Sequence, residues 1–207
     1  MPVTAALFDF GGVILSSPFE AFARYEAEHD LPPGFIRKVN STNPDSNAWA
    51  KLERSEIGVD GFGPAFEAES AALGHAVPGA DVLGLLTGYV RPTMVEAVRR
   101  CGERLKTGLL TNNVTGMLST VDPRLEAILD LFDVIVESSV VGVRKPDPAF
   151  YELACERLDI TPTDAVFLDD LGINLKPARA MGMATIKVED PATAIAELEE
   201  IVGFPLG

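Results

Sequence analysis

Positive charge is scarce in this sequence. Seventeen lysines and arginines stand against 31 acidic residues, for a net charge of −14 and a pI near 4.5. No basic run exists that could neutralise a nucleic-acid backbone or an anionic bilayer, so neither is expected as a partner. An anionic substrate must then be held locally, by a metal, a lysine or backbone amides. Cysteine is equally sparse: Cys101 and Cys155, the two present, fall in apolar helical patterns and read as buried free thiols suited to a reducing compartment. No apolar run approaches the ~18 residues of a membrane span. The N-terminus lacks a basic region followed by an apolar stretch and a cleavage site, which makes a cytoplasmic location the default expectation. His29 and His75 each stand alone, without the spacing of a metal site, and read as surface or helix-end residues. Trp49, the one tryptophan, reads as a packing residue before a substrate-stacking one. Nothing in the pattern speaks to oligomeric state.

What is present is a chain of 207 residues, 47% hydrophobic and 23% charged, enough for one globular domain or a domain with a smaller one inserted. The organising stretch is residues 5–14. An apolar run over residues 3–8 reads as a buried strand at the centre of a parallel sheet, although periodicity alone also allows a buried helix. It breaks at Asp9 into Gly11 and Gly12, a tight turn where backbone comes close to something. An acid at the carboxyl end of a central strand lies where open α/β sheets place their ligands; the plain alternative is a capping aspartate.

Residues 17–87 carry helical spacing, with Phe19, Phe22 and Tyr25 on one face, and show no strand signal. They interrupt an α/β pattern and read as an inserted helical cap. From residue 91 strands and helices alternate: strands over 106–110, 133–137, 165–168 and 184–188, and helices over 92–103, 125–131, 149–158, 174–181 and 192–202. This predicts a doubly wound, Rossmann-like parallel sheet built from residues 1–16 and 88–207, with the helical cap between. Right-handed crossovers then bring the strand carboxyl ends to one rim.

Four polar stations fall on that rim: Asp9, Thr111-Asn112, Lys145 and Asp169-Asp170. Each alone is weak, because strand-end threonines usually cap, loop lysines are usually solvated and paired acids often start helices. Together they suit phosphoryl transfer. A carboxylate can attack phosphorus and split one difficult step into two. Mg²⁺, a hard cation that prefers oxygen ligands, makes its approach to a dianion tolerable. Lys145 offsets charge, and Thr111 with the glycine-turn amides donates to the phosphoryl oxygens.

Asp9-Phe10-Gly11-Gly12-Val13, Leu110-Thr111-Asn112, Arg144-Lys145-Pro146-Asp147-Pro148 and Phe167-Leu168-Asp169-Asp170 match, in order, the four motifs of the haloacid dehalogenase-like (HAD) hydrolase superfamily. The run over residues 167–186 looks most like the branch containing the N-terminal phosphatase domain of mammalian soluble epoxide hydrolases. The resemblance implies a Mg²⁺-dependent phosphatase acting on a small phosphorylated substrate. By position, Asp9 resembles the nucleophile and a metal ligand, the Gly11 carbonyl a second ligand, and Asp170 a direct acidic ligand with Asp169 nearby. Gly12, Thr111 and Asn112 match substrate-binding positions, Lys145 the charge-balancing lysine, and Asn174 is a weaker candidate.

One departure matters. The phosphatase pattern carries a second aspartate two positions after the nucleophile, as general acid and base, where this chain has Gly11. Such assistance is worth about 10²–10⁴-fold, so the chain is expected to favour leaving groups that need little protonation, such as aryl, acyl or sugar 1-phosphates. The rival readings are a metal-free haloacid dehalogenase, against which the retained Asp169-Asp170 pair argues, and a degenerate phospholigand-binding protein, for which Gly11 is the one supporting feature.

Overall fold

The computed structural model describes residues 3–86, 88–114 and 123–207; the ranges assigned from sequence also include residues 1–2, 87 and 115–122, which lie outside the described residues. Strand β1 (Ala5–Phe8) is followed by helices α1 (Phe19–Glu28), α2 (Phe35–Ser41), α3 (Ala48–Glu53), α4 (Val59–Ala72) and α5 (Gly79–Gly84). Then come α6 (Pro92–Gly102), β2 (Lys106–Thr111), α7 (Pro123–Leu129), β3 (Val134–Glu137), α8 (Ser138–Val141) and α9 (Pro148–Leu158). The chain closes with β4 (Ala165–Asp169), α10 (Gly172–Ala180), β5 (Ala184–Lys187) and α11 (Pro191–Val202). No helix among the described residues is long and apolar enough to cross a membrane.

The five strands form one parallel sheet in the order β3-β2-β1-β4-β5. The chain winds outward from β1 in both directions, so the switch point lies between β1 and β4, where such sheets leave a crevice at their carboxyl ends. Alternate residues bury opposite faces, as the two-residue period of a strand requires. Ala6, Phe8, Leu109, Val166, Leu168 and Ile186 pack against α6 and α11 through Met94, Val98, Ala194 and Leu198. Ala5, Leu7, Leu110, Val136 and Phe167 face the other way, onto Phe150 and Ala154 of α9 and Leu175 and Ala178 of α10. Both cysteines are buried in these layers and unbridged.

Helices α1–α5 share a separate apolar cluster that includes Phe22, Phe35, Trp49, Phe62 and Phe66. Trp49 lies 4.8 Å from the Phe62 ring, centroid to centroid. His29 ends α1, with Nδ1 2.9 Å from the Tyr25 carbonyl oxygen, and His75 meets the Phe35 ring edge-on. The two backbone crossings that join this helical segment to the sheet run side by side: Ser16 N donates to Tyr89 O (2.9 Å) and Arg91 N to Ile14 O (2.9 Å).

Local differences from the sequence reading have local causes. β1 begins at Ala5 rather than residue 3. The third helix stops at Glu53, shortly before Ser55 adopts a left-handed φ of 58°. Asn47 caps its start by accepting from Ala50 N (2.9 Å). The four-residue helix α8, ended by left-handed Gly142, has too short a pattern to read from periodicity.

Candidate active site

Asp9 is the first residue past β1, and its N–H donates to Leu168 O (2.9 Å), which ties it to the end of β4. Asp169 is the last residue of β4, so the switch point brings the Asp9, Asp169 and Asp170 carboxylates together. One oxygen from each lies within 4.8 Å of the others. Lys145, 1% exposed, extends into this cluster from the loop before α9, with Nζ 2.7 Å from Asp9 Oδ1 and 2.7 Å from Asp169 Oδ2.

Asp169 is fully buried and heavily engaged. Its oxygens accept from Lys145 Nζ, from Leu171 N (2.8 Å) and from Asn174 Nδ2 (3.0 and 3.1 Å). Asn174 is itself held by Tyr151, whose hydroxyl donates to the Asn174 carbonyl (2.7 Å). Asp170 is freer, with Oδ2 accepting a long bond from Ser17 Oγ (3.3 Å). Gly12 sits directly under it. Its φ is +81°, and a Cβ there would lie 2.3 Å from the Asp170 carboxylate, so turn geometry and close approach both require glycine. The Gly12 carbonyl accepts from Arg91 Nη1 (2.5 Å).

Three carboxylates share one ammonium here, and the electrostatics register the imbalance. Burial pushes the Asp9 carboxyl up to about 8, with Lys145 opposing and Asp169 and Asp170 adding to the rise. Burial, then Asp169, lifts Asp170 to about 6 against the pull of Lys145 and Ser17. Burial disfavours the Lys145 charge, but Asp169 and Asp9 outweigh it and hold the ammonium above its ordinary value.

A cavity of about 600 Å³ opens above the cluster, between the sheet rim and helices α1–α3. Asp9, Gly11, Thr111, Asn112, Lys145 and Asp170 line its floor, whereas Gly12 and Asp169 lie behind the lining. Thr111, the last residue of β2, is 3% exposed. Asn112 is occupied on the main chain of Lys145: Nδ2 donates to Lys145 O (3.0 Å), and Oδ1 accepts from Lys145 N (2.9 Å). Its side chain therefore orients the lysine segment, and its reach toward a ligand is through other atoms. The helical side contributes apolar Phe19, Phe22, Trp49 and Leu86 together with Arg37, Asn40, Asp45 and Glu53, and Val114 and Ile173 complete the apolar lining. Ser17 and Arg91 carried no sequence signal, because each acts on a residue distant in the chain.

The haloacid dehalogenase-like hydrolase family model matches residues 3–182, and the chain belongs to that family. It is 38% identical over 208 residues to mouse acyl-CoA dehydrogenase family member 10, covering 98% of this chain and 19% of that protein. It is 33% identical over 221 residues to pig bifunctional epoxide hydrolase 2, covering 100% of this chain and 40% of that protein. The chain thus spans between a fifth and two fifths of those two relatives. Phosphatase MT3486 of Mycobacterium tuberculosis is 35% identical over 202 residues, with 91% of this chain and 88% of that one covered. Among solved structures, a HAD family enzyme of Bacteroides thetaiotaomicron in complex with magnesium and inorganic phosphate superposes with a TM-score of 0.62 at 19% identity, covering 89% of this chain and 93% of that one. The L-2-haloacid dehalogenase of Xanthobacter autotrophicus superposes with a TM-score of 0.64 at 18% identity, covering 99% and 84%. At these identities the two structures speak for the fold alone. The chain is a HAD-family hydrolase with phosphatase relatives.

Proposed function

We propose that the chain is a Mg²⁺-dependent phosphatase in which Asp9 is the nucleophile. The observation that carries this reading is the trio of buried Asp9 and Asp169 with half-buried Asp170 around a single lysine beneath a cavity. The donor set fits the ion: carboxylate oxygens are the hard ligands Mg²⁺ prefers, and burial, with the neighbouring carboxylates adding to it, pushes Asp9 and Asp170 upward against the pull of Lys145. Asp9, Asp170 and the Gly11 carbonyl would hold it. Asp169, with both oxygens already engaged by Lys145, Asn174 and Leu171, anchors the cluster from behind. When bound, the ion supplies positive charge that lets a carboxylate approach a phosphate dianion.

In the first step an Asp9 oxygen forms a bond to phosphorus as the bond from phosphorus to the leaving oxygen breaks, giving an aspartyl phosphate. The leaving oxygen takes a proton from solvent, since Gly11 offers none. In the second step a water oxygen attacks phosphorus, releases phosphate and regenerates the Asp9 carboxylate. Lys145 orients Asp9, opposes the upward push of burial on its carboxyl and offsets charge on the phosphoryl oxygens. Thr111, at the end of β2, donates to those oxygens.

The substrate is a small phosphomonoester whose leaving group lies against the apolar wall of Phe19, Phe22 and Trp49, which favours an aryl or otherwise apolar group. A dehalogenase needs the Asp9 carboxylate but gains nothing from two further acids beside it. The test is phosphate release from p-nitrophenyl phosphate with Mg²⁺ and with EDTA. Metal-dependent turnover that Asp9→Asn abolishes is expected; turnover that survives EDTA, or Asp9→Asn, overturns the reading.

A further inference from the structure

Among the described residues, polar contacts join the helical segment to the sheet body on both sides of the cavity. One set is the pair of backbone crossings at Ser16 and Tyr89. The other lies across the cavity, where α3 and the turns on either side of it touch α8 and the lysine loop. Here Arg144 Nε lies 2.5 Å from Glu53 Oε2, Arg144 Nη1 donates to Pro44 O (2.8 Å), and Ser55 Oγ donates to Ser139 O (2.8 Å). Both charged side chains line the cavity, and they are only 19% and 15% exposed. A pair so shielded is unlike a surface salt bridge, because breaking it leaves a desolvated charge behind.

From this arrangement we infer that Glu53 is a positioning residue: its pairing with Arg144 latches the helical wall over the acidic site and thereby sets substrate affinity. The inference rests on the phosphatase reading for its kinetic consequence, though not for its structural one. Arg144 precedes Lys145 in the chain, yet Lys145 is held independently, by the two bonds to Asn112 and by its contacts with Asp9 and Asp169. Opening the latch therefore moves the wall that carries Phe19, Phe22 and Trp49 and leaves the lysine in place. That wall touches the leaving group before and during the reaction alike. Interactions of this uniform kind appear in KM and not in kcat.

The test compares the full chain with Glu53→Gln and Glu53→Asp, reading p-nitrophenyl phosphate kinetics in Mg²⁺ and hydrogen exchange without substrate. Glu53→Gln is expected to raise KM roughly tenfold, since it leaves the shielded Arg144 charge without its ion-pair partner, with kcat within about twofold of the parent. Amide exchange in Ala48–Glu53 should quicken while that of β1, β2 and β4 holds. Glu53→Asp, which keeps the charge, should recover most of the KM. Should Glu53→Gln unfold the chain, Arg144→Lys is read instead and should show the same KM-selective change. Parental KM and parental exchange in α3 overturn the latch, as does a fall in kcat at constant KM. A parent chain that turns over no phosphomonoester refutes the phosphatase reading instead, and the exchange measurement then decides the latch by itself.

Discussion

Replacing Gly12 with alanine isolates the contact on which the acidic cluster depends. The left-handed backbone at Gly12 costs an L-residue about 1–2 kcal/mol, and the new methyl would sit 2.3 Å from the Asp170 carboxylate. Something must move. Asp169 is locked by Lys145, Leu171 and Asn174, whereas Asp170 is held by the 3.3 Å bond from Ser17, so Asp170 gives way. The stability loss then stays near the backbone cost, a fall in melting temperature of about 2–8 °C for a chain of this size. The functional loss is larger, because a displaced carboxylate would no longer complete the proposed metal site. Disturbing the groups that orient a metal's ligands typically costs about 10–100-fold in affinity, so the Mg²⁺ concentration for half-maximal turnover should rise by that factor. Gly74→Ala is the control: its φ is +114° and nothing lies within 4 Å of the added carbon, so it carries strain without the clash. Thermal melts in EDTA and Mg²⁺ titrations of p-nitrophenyl phosphate turnover read the two effects separately. A Gly12→Ala protein with the parental Mg²⁺ response refutes the assignment of Asp170 to the metal.

Other outcomes follow from the same geometry. A Cβ at Gly11 meets nothing within 4 Å, so Gly11→Asp has room to supply the missing acid. It should speed hydrolysis of a simple alkyl phosphate by up to about 10²-fold and an aryl phosphate far less; equal gains on both would refute the idea that leaving-group protonation limits this site. In the metal-free protein Asp9 is pushed from 3.8 to about 8, so the folded state retains a proton that the unfolded chain releases. Its stabilising effect is fully present below the unfolded value and is lost as pH rises toward 8. Between about pH 5 and about pH 8 this amounts to at most ~4 kcal/mol. Urea denaturation in EDTA should show that decline in the parent and a much flatter profile in Asp9→Asn, in which Lys145 keeps its 2.7 Å contact with Asp169. Parallel profiles would count against a crowded, cation-seeking carboxylate.

The strands and their order of appearance were legible in the chain because their signals are local, and the candidate site residues were drawn from strand ends and from the family resemblance. An apolar run ending in Asp9 and paired glycines, or Ala165–Asp169 running into Asp170, announces a strand and its polar end without reference to anything distant. The doubly wound sheet follows from alternation and handedness. What required the tertiary structure is which residues meet once the chain has closed. Asn112 matches a substrate-binding position by resemblance, but only the folded chain shows its side chain gripping the Lys145 backbone 33 positions away. Arg91 on the Gly12 carbonyl, Ser17 on Asp170 and Glu53 on Arg144 have no periodic or motif signature, since each pairing spans 79 or more positions. The elevated Asp9 carboxyl is of the same kind. Residue identity provides the acids, but burial, neighbour distance and the one shared lysine decide how strongly they resist charge. A sequence encodes each group's chemistry locally, while electrostatics and packing depend on separations that only the folded chain defines.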